Sequence, residues 1–219
     1  MPGMKYFRRK ICLLGDAAVG KTSLIRRYVE DKFDDKYVVT LGTKVTMREQ
    51  VIQDPNSNQP MNMTLMIWDI LGQREYKRLQ TSFYRGANGA LVVVDITRKE
   101  TLDSLHGWIL SLFNSVGKVP ILILLNKNDL TEQTAIKSED MDDAIKKYET
   151  SYLLTSAKTG ENVDLAFKKM SEMLLFREQS KGSQEGNSKS DEMKQFAGPE
   201  TKIPSETGAT SDKNDNDSA

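Results

Sequence analysis

Short apolar blocks, each stopped by a small or polar residue, set the rhythm of this chain. Phe7 to Leu14 is largely apolar and stops at Gly15, which predicts a buried strand. Past Lys21 the period changes: Leu24, Ile25, Tyr28 and Val29 recur at helical spacing, so a helix follows the glycine loop. Lys44 to Ile52 alternates Val45, Met47, Glu49 and Val51 with polar neighbours and suits a strand. Asp54 to Pro60 is dense in turn formers, and Met63 to Ile70 resumes as a strand, so the span predicts a hairpin with a long tip. Ala90 to Val94 reads as a buried strand ending at Asp95, and Ile121 to Leu125 as another ending at Asn126. Between them Leu102, Leu105, Ile109 and Leu112 mark an amphipathic helix. Met141, Ile145 and Tyr148 predict a helix, Tyr152 to Thr155 a short strand, and Val163, Phe167, Met170 and Leu174 a last helix. Strands alternating with helices imply an α/β protein whose mostly parallel sheet is covered on both faces.

The periodicity stops near Arg177. From Glu178 to Ala219 the chain is mainly polar, with Phe196 its only aromatic and nine acidic against five basic residues, a net of −4. Such a segment cannot bury enough apolar area to offset its ordering entropy, so residues 1–177 are expected to form the domain and residues 178–219 a disordered acidic tail. Over the whole chain 31 basic and 31 acidic residues cancel, which argues against a protein that grips a nucleic-acid backbone. The single cysteine, Cys12, sits in an apolar strand and reads as a buried structural thiol in a reducing compartment. No apolar run approaches the roughly 20 residues needed to span a bilayer. Pro2 stands where N-myristoylation needs glycine, and the last residues, Asp-Ser-Ala, carry no prenylation cysteine. The expectation is a cytoplasmic monomer without its own lipid anchor, reaching membranes only through partners.

Three motifs sit where predicted strands end. Gly15-Asp16-Ala17-Ala18-Val19-Gly20-Lys21-Thr22 fits GxxxxGK[ST], between a strand and a helix. Such a loop turns backbone N–H groups onto phosphate oxygens, with a helix N-terminus aimed at the same charge. Lys21 would reach the β and γ phosphates and the Thr22 hydroxyl would bind Mg²⁺, with Ser23 following in the helix. Trp68-Asp69-Ile70-Leu71-Gly72-Gln73 offers a carboxylate for Mg²⁺ through water, a glycine amide for the γ phosphate and a glutamine for the attacking water. Alone, Asp69 could equally be a cap or turn residue. Asn126-Lys127-Asn128-Asp129 offers a carboxylate, Asp129, that can accept from guanine N1–H and its exocyclic amine; adenine lacks that pair of donors. Without the upstream loop, a run of turn formers would be the simpler reading.

The order and position of these motifs resemble the Ras superfamily of small GTPases, and the Rab branch most closely, over roughly Tyr6 to Arg177. Thr40-Leu41-Gly42 looks like the switch I threonine, Asp69 to Gln73 the DxxGQ motif, Asn126 to Asp129 the NKxD motif and Ser156-Ala157-Lys158 the SAK motif. Ser82 to Ala87 is also Rab-like, whereas Lys36 to Gly42 is more similar to the nuclear-transport GTPase Ran. The resemblance implies a P-loop NTPase fold: a mostly parallel six-stranded sheet with one antiparallel edge hairpin and helices on both faces. It implies GTP and GDP as substrate and product, Mg²⁺ as cofactor, and an exchange factor, an activating protein and effectors as partners. By the same resemblance Phe33 would pack against guanine and Tyr37 would close over the phosphates. Thr40 would join Thr22 on Mg²⁺ when the γ phosphate is present. Ala157 would offer its amide to guanine O6 and Lys158 would stack along the base. Phe33 and Tyr37 could otherwise be ordinary loop anchors.

Departures from the pattern bear on catalysis. Ile70-Leu71 replaces Thr-Ala, Arg74 follows Gln73 where glutamate is usual, and Ala17 replaces a glycine or serine. Leu71 beside Gly72 is expected to alter switch II movement and slow hydrolysis. No arginine is clearly placed as a cis finger, so intrinsic turnover is expected at about 10⁻⁴ per second, with an activating partner adding up to about 10⁵-fold. A GTP-loaded scaffold with little hydrolysis is the alternative, and an ATP-using phosphotransferase the third reading. His106, the only histidine, is expected on the surface; Met61, Met63 and Met66 are expected in the hairpin and core; Lys5 to Lys10 is expected to be solvated.

Overall fold

The computed structural model describes residues 6–34, 40, 42–54, 57–70, 72 and 77–183. Strand β1 (Tyr6–Leu14) leads into helix α1 (Lys21–Glu30); β2 (Thr43–Gln53) and β3 (Pro60–Ile70) form the hairpin; α2 (Lys77–Tyr84) precedes β4 (Gly89–Asp95). Helices α3 (Lys99–Asp103) and α4 (Leu105–Val116), strand β5 (Ile121–Asn126), helix α5 (Ser138–Tyr148), strand β6 (Tyr152–Thr155) and helix α6 (Val163–Ser183) complete the order. The six strands lie in one sheet in the order β2-β3-β1-β4-β5-β6. Only β2 and β3 are antiparallel, in register from Thr43 opposite Ile70 to Gln53 opposite Pro60. The other neighbouring pairs are parallel. This is the sheet expected from the sequence.

Alternation within the strands builds two cores. Ile11, Leu13, Leu65, Ile67, Leu91, Val93, Leu122, Leu124 and Leu153 pack against α1 and α6 through Leu24, Tyr28, Phe167 and Met170. Cys12, Leu14, Val92, Val94, Ile123, Leu125 and Leu154 pack against α4 and α5 through Trp108, Ile109, Leu112 and Met141. β4 and β5 read as unbroken apolar runs because they are buried on both faces. β2 is an edge strand, and Val45, Met47 and Val51 on it are exposed. Met61 and Met63 are buried, and Cys12 is buried with its thiol pushed up to about 12 by desolvation. His106 is exposed and contacts the Tyr148 hydroxyl.

Three features differ from the sequence reading. Helix α2 was not marked by the periodicity; its eight residues span too few turns for an apolar stripe to show. The helix expected through Leu102 to Leu112 is found as α3 and α4, which join through Ser104 with helical dihedrals (φ −76°, ψ −18°) and with backbone bonds from Ser104 N–H to the Glu100 carbonyl at 3.2 Å and from Trp108 N–H to the Ser104 carbonyl at 3.3 Å; the Ser104 Oγ lies 2.7 Å from both the Glu100 carbonyl and Asp16 Oδ2. Lys10 is buried instead of solvated: its Nζ donates to the carbonyls of Phe83 and Arg85 at 2.7 and 2.9 Å and lies 3.5 Å from the Trp68 ring centroid. Finally, α6 continues past Arg177 to Ser183, tied to β1 by the Arg9–Glu178 pair at 2.8 Å. Helix propagation needs one hydrogen bond per residue and no apolar stripe. Residues 184–219, where the rest of the tail reading falls, lie outside the described residues. Among the described residues no helix is long and apolar enough to cross a membrane.

The Tyr28 and Phe167 rings stack with centroids 3.9 Å apart and join α1 to α6 beneath the site. Phe167 is fully buried, so Phe167→Ala is expected to cost about 3–5 kcal/mol of unfolding free energy, read as a lower urea midpoint at unchanged slope.

Candidate functional site

Every motif lies at the carboxyl end of a strand. In an open α/β sheet that is where ligands bind, beside the point at which strand order reverses. Here the reversal is at β1, flanked by β3 on one side and β4 on the other. The loop from Gly15 to Gly20 follows β1, Asp69 closes β3, Asp95 closes β4, Asn126 closes β5, and Ser156 to Lys158 follow β6.

The phosphate-type loop is held from several sides. Asn126 Nδ2 donates to the Val19 carbonyl at 2.9 Å. A Cβ on Gly20 would fall 2.2 Å from that nitrogen, and Gly20 has φ +101°, so both space and conformation require glycine. Asp16 carries its carboxylate away from the loop, accepting from Trp108 Nε1 at 2.9 Å and meeting Ser104. Only the backbone of Asp16 therefore faces the loop interior. Ala17 is half-buried, and Ala18 is exposed with φ 61°. Successive peptides of this kind form an anion-binding concavity. Lys21, buried, donates to the carbonyls of Gly15 and Asp16 at 2.8 and 2.7 Å. Desolvation pushes its pKa down to about 8, against the opposing pull of Asp69 and Asp16. Gly72 presses on the same place: a Cβ there would lie 2.4 Å from Lys21 Nζ and 2.5 Å from the Asp16 carbonyl.

Beside Lys21 three oxygens converge. Thr22 Oγ1 donates to Asp69 Oδ2 at 2.6 Å and lies 2.9 Å from Thr40 Oγ1. Asp69 Oδ1 is buried without a hydrogen-bond partner, and desolvation raises the Asp69 pKa above the usual carboxylate range. One carboxylate with an unfilled oxygen and two hydroxyls make a hard-oxygen set that fits Mg²⁺ completed by phosphate and water. Thr22, Thr40 and Asp69, separate in sequence, are thus brought together.

The second half of the site is built on β5 and β6. Asn126 Oδ1 accepts from Ala157 N–H at 3.2 Å and Thr155 Oγ1 at 3.3 Å. Asp129 Oδ1 accepts from Ser156 Oγ at 2.6 Å, and Ser156 Oγ accepts from Thr159 N–H at 3.0 Å. Lys127 has φ 70° and its Nζ lies 2.7 Å from Asp95 Oδ2. Lys158 is exposed, and Phe33 is half-buried against the α1–α6 core. Tyr37, Gln73, Leu71 and Arg74 lie outside the described residues.

Three participants escaped the sequence reading. Arg27 of α1 donates through Nε to the Ala157 carbonyl at 2.9 Å and through Nη2 to the Lys158 carbonyl at 2.6 Å. Asp95, fully buried, accepts from Thr97 N–H and Oγ1 at 3.0 and 2.7 Å and from Arg98 Nε at 2.9 Å. Burial alone would raise its pKa, but Lys127, Thr97 and Arg98 together hold it below the ordinary carboxylate range. Arg98 also donates through Nη2 to the Ala17 carbonyl at 2.9 Å. The contacts of Arg27 with the Ala157 and Lys158 carbonyls, of Arg98 with Ala17 and of Asp95 with Lys127 link residues far apart in sequence, and no local pattern announces them.

A sequence model of the Ras family matches residues 10–175. The chain belongs to the Ras family. Within it the chain is of the Rab branch. It is 34% identical over 179 residues to the Ras-related protein Rab-13 of Mesocricetus auratus, covering 81% of this chain and 84% of that protein. It is 37% identical over 159 residues to the Ras-related protein RABA4a of Arabidopsis thaliana, covering 72% and 68%. The Ras-related protein Rab-27B of Homo sapiens is 32% identical over 176 residues, covering 77% and 80%. As a Ras-family protein it is a GTPase with GTP and GDP as its nucleotides.

For this Ras-family site the Lys21 environment has a measurable consequence. A phosphate bound beside Lys21 would add counter-charge and raise its pKa from about 8, so the complex would hold more protons than the free protein. At pH 8, GDP binding should take up about half a proton. Affinity should fall as pH rises from about 8 toward the ordinary lysine value of 10.5. Calorimetric titration in buffers of different ionisation enthalpy reads the uptake directly; none at pH 8 would contradict it.

Proposed function

We propose that this protein is a slow, Mg²⁺-dependent GTP switch. The observation that carries the reading is the meeting of Lys21 with Thr22, Thr40 and the unpartnered Asp69 Oδ1, since buried groups so short of counter-charge fit a phosphate and a hard cation. In this reading the loop amides and Lys21 bind the β and γ phosphates, Lys21 exchanging its carbonyl partners for phosphate oxygens. Thr22 and Thr40 would ligate Mg²⁺ directly and Asp69 through water. The ion, when bound, supplies neutralisation of charge on the phosphate oxygens.

Base selection falls to Asp129, with Ser156 holding its carboxylate, Asn126 and Arg27 fixing the loop that offers the Ala157 amide, and Lys127 and Lys158 flanking the base. Gln73 orients water for attack on the γ phosphorus; the bond to the β–γ bridging oxygen breaks, and GDP and phosphate leave. The Gly72 N–H and Thr40 hydroxyl lose γ-phosphate contacts afterwards, which relaxes both switch segments. Ras-family proteins generally work with exchange factors, activating proteins and effectors; slow unaided turnover makes an activating protein necessary here. The reading places the protein in the cytoplasm, recruited to membranes by those partners.

Single-turnover phosphate release from purified, GTP-loaded protein tests the hydrolase role. Release should be slow, about 10⁻⁴ per second, and should stop when Mg²⁺ is chelated. Protein that keeps GTP intact with Mg²⁺ and an activating lysate would sink it. Base recognition is tested separately with Asp129→Asn. That variant should lose roughly 10⁴-fold in GDP affinity and gain binding of xanthosine diphosphate, measured by competition with a fluorescent nucleotide.

A further inference from the structure

Arg98 sits in the short connection between β4 and α3, outside every motif read from the sequence. Its guanidinium forks. Nε donates to Asp95 Oδ2 at 2.9 Å, Nη2 donates to the Ala17 carbonyl at 2.9 Å, and Nη1 lies 3.9 Å from Glu100 Oε1. Asp95 is fully buried and held in turn by Thr97 and Lys127, so the base of this fork is rigid.

The meaning lies in the peptide plane. A trans peptide points its C=O and the following N–H in opposite directions. Holding the Ala17 carbonyl toward Arg98 therefore turns the Ala18 N–H away from it. Asn126 does the same one peptide-pair later: it holds the Val19 carbonyl at 2.9 Å and so turns the Gly20 N–H away. The loop is thus gripped by two side chains on the outward carbonyls of alternate peptides, and the N–H groups of those same peptides, Ala18 and Gly20, face the other way, where they can serve an anion. The left-handed Ala18, φ 61°, lies between the two gripped carbonyls, where the chain must reverse its peptide orientation without help from glycine.

We infer that Arg98 is a positioning residue that aims the Ala18 amide at the nucleotide phosphates. Through Asp95 it also couples the phosphate loop to Lys127 in the base-binding loop. The inference rests on the guanine-nucleotide reading above. Lysine cannot replace arginine here: one nitrogen can answer Asp95 three residues back, but only a planar fork reaches Asp95 and the Ala17 carbonyl together.

The test is release of fluorescently labelled GDP from the full-length protein by stopped flow, with thermal unfolding measured alongside. Arg98→Ala should release GDP about tenfold faster than wild type. Arg98→Lys should restore the thermal midpoint toward wild type yet still release GDP at least about fivefold faster, because it keeps the ion pair and loses the carbonyl grip. Combining Arg98→Ala with Lys127→Ala should accelerate release by less than the product of the two single effects, since both act through Asp95. Release within twofold of wild type in Arg98→Ala, or recovery of release together with stability in Arg98→Lys, would overturn the positioning role. A multiplicative double variant would overturn the coupling. Failure of the wild type to retain labelled GDP would instead overturn the guanine-nucleotide reading, and this inference with it.

Discussion

Asn126 is buried, and both ends of its side-chain amide are committed to the protein: Nδ2 to the Val19 carbonyl, Oδ1 to the Ala157 N–H. A parallel sheet brings strand ends side by side but leaves their loops undetermined. One rigid planar amide here fixes the loop after β1 against the loop after β6, across 107 and 31 residues of sequence. Gly20 must lack a Cβ because that amide lies where the Cβ would be. The phosphate and base halves of the site therefore share one joint, and losing it would strand buried polar atoms at about 1–3 kcal/mol each.

The site is also the least comfortable part of the fold. Elsewhere the two cores are apolar and closely packed. Here an ammonium is desolvated against backbone carbonyls, and a carboxylate oxygen beside it has no partner. Burying such groups disfavours the ligand-free state, so part of the affinity of the site is relief of an existing cost and not new attraction. Ile70 is fully buried in the cluster that holds Cys12, Leu14 and Tyr84, which places an apolar anchor directly after the Asp69 carboxylate.

Much of this was legible in the sequence. β4 and β5 showed as unbroken apolar runs because both of their faces are covered, whereas the alternation that marked β2 consists of Val45, Met47 and Val51, which are exposed on an edge strand. The loop from Gly15 to Thr22, Asp69, and the segments at Asn126 and Ser156 stood out because backbone geometry and hydrogen-bond chemistry restrict the residues allowed there. What stayed hidden depends on tertiary proximity. Arg27 and Arg98 are ordinary helix and loop residues until the fold sets them against carbonyls 81 to 131 positions away, and Asp95 an ordinary strand end until Lys127 meets it. The partners of the Asp16 carboxylate, Trp108 and Ser104, were likewise hidden, since they lie 92 and 88 positions away.

Lys10 gives the molecule a mechanical asymmetry. Its buried ammonium clasps the carbonyls at the end of α2 and rests on Trp68, fastening that end of the helix to the centre of the sheet. The opposite end of α2 is the one nearer in sequence to Gly72. An ammonium at the clasped end also complements the negative end of the helix dipole and gives the carbonyls there a charged donor.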